Sequence, residues 1–395
     1  VLVVLKQRYH WLRPTFLSLR VIFGKFILTC LGLLCGASIG REGPSVHMGA
    51  AMMYSVGRLG RLNQKYVDNS LIVAGGAAGV SAAFNAPLAG IVFAIEELSG
   101  SFEQRTSGTL ILAIILSGVV VLMIMGHYSF FGHPQGALDI TRDWAAIGVT
   151  GLVCGLFGGL FSRLLIKGSQ FLSPHARAHP YRVVLMCALV LVLLGLLTGG
   201  ATYGSGYEQA STLLDGEHPG NWSFALAKMS ATLVSYFTGI PGGLFSPSLA
   251  AGAGFGNVIG SFFPTSSLVG ITLVAMAAFL AGVIQRPITS FVIVMELTGN
   301  RHDILLPLMA GAFLATAVAK VVWARPLYDS LAERLSDGRG MALEKPREKV
   351  TTGGQNGPRG RNPSDNYPDK LPVPGGAPIM RGHLLNAAVP WSAGW

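Results

Sequence analysis

Charge is what this sequence has least of. Only 12% of its 395 residues are Asp, Glu, Lys or Arg, against 51% hydrophobic, and the mean hydropathy is +0.51. That balance excludes a soluble globular domain. Residues 69–95, 106–138, 183–207 and 229–285 contain none of the four charged types. A membrane span needs only about 20 apolar residues, so the last run is long enough for two. Cysteine is scarce as well: Cys30, Cys35, Cys154 and Cys187 lie in apolar helical contexts with no C-x-x-C spacing. They read as small core residues, not as disulfides or metal ligands. The chain starts at Val1 with neither methionine nor a recognisable signal peptide, and we expect it to be a fragment whose N-terminus lies upstream. A net charge of +10 could point to nucleic acid, but the basic residues are scattered over short loops and the C-terminal tail. The positive-inside rule accounts for them, and no nucleic-acid partner is expected.

Glycine, by contrast, is abundant, at 52 residues, much of it inside apolar segments. Glycine there lets helices approach closely or break, so the expectation is an all-α polytopic membrane protein with a tightly packed, interrupted bundle. The most informative break is Gly40-Arg41-Glu42-Gly43-Pro44, which sets a charged pair between two apolar runs. Ionisable groups at membrane depth are costly and usually face a cavity. A proline at a helix start leaves the following amides free to meet an anion. Glu42 is therefore expected at the mouth of a half-helix spanning 45–59.

Further breaks follow. Phe84-Asn85-Ala86-Pro87 ends a glycine- and alanine-rich run and opens an apolar helix, 88–98, that terminates in Glu96-Glu97. Those carboxylates either mark the membrane boundary or carry function. Gly239-Ile240-Pro241-Gly242-Gly243-Leu244-Phe245-Ser246-Pro247 is another break, and Gln285-Arg286-Pro287 leads to Glu296. Spans are expected over 21–39, 106–125, 144–167, 183–197, 224–237, 271–284 and 304–322, with a short amphipathic helix from 329. The glycines at 252, 254 and 256 follow no strand, which excludes a dinucleotide loop. His175 and His179 have a metal-like spacing but sit in a Ser-Pro-rich loop without a matching carboxylate or cysteine, so no metal or other cofactor is expected. His47 has no assignable Ser and carboxylate partners, so it reads as a packing or pore-lining residue and the protein as no enzyme. Residues 1–335 make the membrane domain. From 336 to 395 the polar, Gly- and Pro-rich tail is expected to be disordered in the cytoplasm.

The breaks repeat. Asn85 to Glu96 aligns with Gln285 to Glu296, with each glutamate nine residues after its proline and the copies two hundred positions apart; Pro44 has a counterpart in Pro247. Paired interrupted helices in two halves of a chain point to a transporter site near the midplane, because half-helix N-termini aim their positive ends at an anion. The spacing alone leaves open whether the copies are parallel or inverted.

Taken in order, Gly40 to Pro44, Phe84 to Gly90 with Glu96-Glu97, Gly242 to Pro247, Glu296-Leu297-Thr298-Gly299-Asn300 and Pro326-Leu327-Tyr328 resemble the CLC chloride channel and transporter family. The resemblance covers residues 20–335. It implies an inverted-repeat fold, a homodimer with a pathway in each subunit, and location in the lipid bilayer of a cell membrane, here of the bacterial inner-membrane type. It implies that Glu42 is the external gate and proton acceptor, a carboxylate that occupies an anion site when ionised and swings away when protonated. Gly40, Arg41 and Gly43 belong to that motif. The amides near Leu244 and Phe245 match a second anion-binding loop, and Tyr328, otherwise an interfacial aromatic, matches a tyrosine that contacts the central anion. Glu97 matches the internal proton glutamate of the family's exchangers, where channels commonly carry an apolar residue. The expected function is thus proton-coupled chloride antiport, with a passive voltage- or pH-gated channel as the alternative. The family's first anion motif, Gly-Ser-Gly-Ile-Pro, would fall at or before Val1 and is absent, so the preference among anions cannot be read here.

Overall fold

The protein is described by a computed structural model covering residues 16–63, 67–99, 104–126, 128–216, 222–299 and 302–333. The helices are α1 (Leu19–Leu34), α2 (Glu42–Leu59), α3 (Ile72–Phe84), α4 (Pro87–Phe93), α5 (Gln104–Met125), α6 (Ile140–Ala178), α7 (Pro180–Leu197), α8 (Tyr207–Asp215), α9 (Trp222–Phe237), α10 (Phe245–Ser261), α11 (Leu268–Ile284), α12 (Pro287–Leu297) and α13 (Leu305–Val322). Wider π-turns over Val67–Leu71 and Ala94–Ser99 open α3 and extend α4. A last short helix covers 327–333. The only strand-like pairing among the described residues is an isolated antiparallel bridge between Gly40 and Gly243.

Among the described residues, four helices are long and apolar enough to cross a membrane: Gly108–Met125, Arg142–Ala178, Pro180–Leu197 and Leu305–Glu333. α5 and α7 leave most of their apolar side chains exposed, Leu112, Leu116, Leu193 and Leu197 among them, as a lipid-facing helix does. α10 and α11 are the opposite case. Almost every residue of both is buried, and helices that are apolar all round belong to a core. α4 and α12 are far shorter than the roughly 20 residues of a full span, so each ends within the membrane's thickness.

The short helices begin where they do for local reasons. Pro87 and Pro287 each occupy the first helical turn, where a missing N–H costs nothing. The residue two before each proline, Asn85 or Gln285, turns left-handed, with φ of 53° and 56°. Each also spends its side-chain amide on a distant carbonyl: Asn85 on Tyr128 at 2.8 Å, Gln285 on Trp323 at 2.6 Å.

The repeat extends to helix packing. In α2 and α3, Gly49 and Gly75 lie so close that a Cβ on either would strike the other's carbonyl, and one on Gly79 would strike that of Ser45. In the second half Gly252 of α10 takes the place of Gly49, where a Cβ would come within 2.8 Å of the Ala275 carbonyl of α11. α4 and α12 then lie side by side, each held at its start by a glutamate near the other's end: Glu296 accepts the N–H groups of Leu88 and Ala89, and Glu96 those of Ile288 and Thr289. Two helices that cap one another in this way must run antiparallel. The copies are therefore inverted, which the sequence spacing had left open.

Several sequence expectations need correction. Helix α2 starts at Glu42, not Ser45, so Glu42 is itself in the first turn. His175 is not in a loop: α6 continues past Pro174 to Ala178, and His179 caps α7. A proline this close to a helix end removes a bond that only the last turn would have used. Cys154 and Cys187 are buried as expected, but Cys30 and Cys35 are exposed on and just after α1, whose outward face also shows Phe23, Phe26, Ile27 and Leu31. α8 was not anticipated, because Glu208 and Asp215 frame a helix that buries only Ala210, Leu213 and Leu214. Asn300, His127 and the tail from 336 lie outside the described residues.

Candidate functional site

The two proline-containing breaks at 40–44 and 242–247 meet each other. Gly40 and Gly243 exchange hydrogen bonds in both directions, Gly40 N–H to Gly243 O at 2.8 Å and Gly243 N–H to Gly40 O at 2.6 Å. α2 leaves this junction from Glu42 and α10 from Phe245, so two helix N-termini from opposite halves open at one place. Positive partial charge from both sets of unpaired amides gathers there.

Glu42 fills the junction. Its residue is 2% exposed. Ser246, in the first turn of α10, donates its Oγ proton to Glu42 Oε1, and the backbone N–H groups of Glu42 and Ser246 lie near the carboxylate. Oε2 has no hydrogen-bond partner among the described residues and rests against Gly40 and Gly243, where a Cβ on either glycine would overlap it. Only glycine leaves room for this carboxylate. A buried carboxyl oxygen without a partner is rare and calls for a reason beyond stability.

The walls are set by short polar ties. On the strand-like segment before Gly40, Ser38 donates its N–H to Ser235 Oγ at 2.9 Å and shares a 3.0 Å hydrogen bond with Thr232 Oγ1, both on α9. From α1, Thr29 donates to the Pro241 carbonyl at 3.0 Å. Gly43 packs on the Gly242 backbone, and Leu244 is the buried cap of α10. Phe245 gathers the aromatic side of the site. It stacks on Phe84 at the end of α3 and meets Phe93 of α4 edge-on, and Tyr328 tilts against it with ring centroids 6.3 Å apart. Tyr328 lies within electrostatic reach of both Glu42 and Glu97.

Glu97 is in the π-turn after α4, and only 1% of its side chain is exposed. Arg286, immediately before Pro287, donates Nε to Glu97 Oε2 at 2.6 Å and reaches Asp329 with a second nitrogen at 3.3 Å.

The structure thus brings Gly40, Glu42, Gly43, Leu244, Phe245 and Tyr328 together, with Glu97 beyond the tyrosine. Arg41 is the exception. Its side chain is exposed and lies over the Phe130 ring at 5.5 Å, within electrostatic reach of the carboxylate but not bonded to it. His47 packs, its Nε2 sharing a 2.8 Å hydrogen bond with the Phe16 carbonyl. Sequence reasoning missed Ser246, Phe84, Arg286 and Asp329. Ser246 stood inside a motif already singled out, and Arg286 is visible as the residue facing Ala86 in the repeat.

Comparison with known proteins agrees with this architecture. The family model described as voltage gated chloride channel matches residues 4–320. The solved structure of a slow cyanobacterial Cl⁻/H⁺ antiporter is similar with a TM-score of 0.69 at 22% identity, over 86% of each chain. A CLC-type fluoride/proton antiporter gives 0.67 at 25% identity, covering 81% of this chain and 83% of that one. A eukaryotic CLC transporter gives 0.65 at 25% identity, over 84% of this chain and 59% of that one. The inverted halves, the paired broken helices and a family match over most of the sequence lead to one conclusion: the chain belongs to the CLC family.

Proposed function

We propose that this protein is a proton-coupled anion antiporter that carries chloride along a pathway gated by Glu42. The observation that carries this reading is the Glu42 carboxylate itself, seated in a glycine cradle between two helix N-termini. Such a site offers amide dipoles to an anion, and an ionised carboxylate competes with a free anion for the same place. Protonation removes that competition, so anion entry and proton uptake are linked at one group. Tyr328, with the amides of Leu244 and Phe245, forms the next contact for the anion. Glu97 accepts protons from the other side.

Proton coupling is also supported by likeness: a protein of this fold at 25% identity is described as a fluoride/proton antiporter. Fluoride should therefore be tried beside chloride. We further propose a homodimer with a separate pathway in each subunit, in a cell membrane, without a cofactor.

The test is proton movement in liposomes driven by a chloride gradient. The antiporter reading expects uphill proton flux that is lost in Glu97→Gln and in Glu42→Gln, with anion flux in Glu42→Gln no longer dependent on pH. Anion flux without any proton movement would establish the passive channel instead.

A further inference from the structure

Two positions depart from the repeat together. Arg286 stands where the first half has Ala86, and Glu97 stands where the second half has Leu297. The backbones at these joints coincide: φ and ψ are −133° and 83° at Ala86, and −126° and 84° at Arg286. The two-fold relation that exchanges Glu96 with Glu296 therefore carries the place of Ala86 and Leu297 onto that of Arg286 and Glu97. One half fills this place with two buried apolar side chains, 0% and 1% exposed. The other fills it with an ion pair.

The contrast separates packing from function. Taking a carboxylate and a guanidinium out of water is expensive, and an apolar pair of similar size is often as stable or more so. Here the same fold supplies the apolar solution one half away, so the joint does not need a salt bridge to form. The pair also does not end at Glu97. Exposure rises outward along it, from 1% for the Glu97 side chain to 22% for Arg286 and 28% for Asp329, so the guanidinium links the buried carboxylate to one at the protein's edge. Asp329 directly follows Tyr328 on the 327–333 helix.

We infer that Arg286 is the positioning residue for Glu97, fixing the direction of its carboxylate and tying it to the helix that carries Tyr328. This rests on the reading of Glu97 as the internal proton acceptor. Among the groups near Glu97 are Arg286 ahead of α12, which bonds it, Tyr328 of the 327–333 helix, and Asp329, which shares the Arg286 guanidinium. Its neighbour Glu96 is turned to the N–H groups of Ile288 and Thr289, while Glu42 of α2 and Tyr236 of α9, like Glu97, lie within electrostatic reach of Tyr328. A guanidinium offers donors and no acceptor, so Arg286 orients the carboxylate and does not itself carry the proton. It sets which way the acceptor points, and therefore how often a proton from the edge reaches it.

The experiment compares the ratio of proton to anion flux in liposomes for the full chain and its variants. Arg286→Ala is expected to lower that ratio by about tenfold or more while leaving anion flux within about twofold, since proton transfer depends on a placed acceptor. Arg286→Lys, which keeps a cation, should recover part of the coupling. The double variant Arg286→Ala with Glu97→Leu imports the apolar pair of the other half and should fold, carry anions and be uncoupled. Should Arg286→Ala not fold, Arg286→Gln keeps a donor at similar reach without the charge and reads the same way. An unchanged ratio in Arg286→Ala, or in Arg286→Gln where the alanine variant does not fold, alongside lost coupling in Glu97→Gln, overturns the role of Arg286 and leaves the antiporter reading intact. Unchanged coupling in Glu97→Gln removes the reading on which the inference stands.

Discussion

Glu96 and Glu296 hold each other's helices. Glu96 accepts the amides that open α12, Glu296 those that open α4, and Thr289 adds its hydroxyl to Glu96 at 2.7 Å. Each carboxylate thus meets the positive end of a helix from the opposite half.

Removing these caps should loosen the joint between the halves. Glu296→Ala is expected to cost about 1 to 2 kcal/mol, in the range of a lost helix cap. Glu96→Ala should cost more because the Thr289 hydroxyl also loses its acceptor. Thermal unfolding in detergent micelles checks this; equal melting temperatures for wild type and both variants would show that the caps hold nothing.

Ser246→Ala removes the one side-chain hydrogen bond to the Glu42 carboxylate. A bond to an ionised group contributes about 1.5 to 3 kcal/mol, so the seated carboxylate should be displaced by a free anion roughly ten- to 150-fold more readily. Anion flux at neutral pH is expected to rise in this variant. If flux is unchanged while the protein folds normally, Ser246 does not hold the gate shut.

Gly49→Val and Gly75→Val place side chains at a helix contact where even a Cβ would meet backbone. Backbone cannot turn aside as a side chain can, so α2 and α3 must separate, at a cost of about 3 kcal/mol or more. Monodisperse protein in size-exclusion chromatography should be lost for both. Gly24→Val is the control: a Cβ there would meet nothing within 4 Å, and the variant should behave as wild type.

The buried amine of Lys228 is held, among the described residues, by backbone carbonyls: Thr202 at 3.0 Å, Gly204 at 2.9 Å and, more distantly, Tyr203 at 3.4 Å. Lys228→Met keeps the apolar stem and leaves those acceptors without their donor. We expect a loss of about 2 to 3 kcal/mol, seen as a lower melting temperature. A rise in stability would instead mean that the cost of burying the amine exceeds what the carbonyls return.

The breaks were legible in the sequence because each needs a residue type that stands out against an apolar background. Pro87 and Pro287 fix helix starts, and Glu42, Glu96 and Glu296 are conspicuous where charge is scarce. What could not be read was direction. Glu96 and Glu97 are neighbours of one type, yet one caps a helix and the other pairs with Arg286, a choice made by which element lies opposite. Arg41 and Glu42 were singled out as a pair for the same reason, and the turn at the helix start sends one outward and the other in. Helix ends were off where no residue enforces them, as at α6, which Pro174 fails to stop.

The reciprocal bonds between Gly40 and Gly243 bear on how fast the proposed gate could work. They pin the two helix starts to one another, so neither α2 nor α10 can shift at this point without breaking both. Opening is then left to rotation of the Glu42 side chain about its own bonds, a motion whose intrinsic timescale runs from picoseconds to nanoseconds, where helix displacement takes microseconds or longer. If Glu42 gates as proposed, the slow event in each cycle would be the arrival or departure of the proton, and the side chain would follow it without delay.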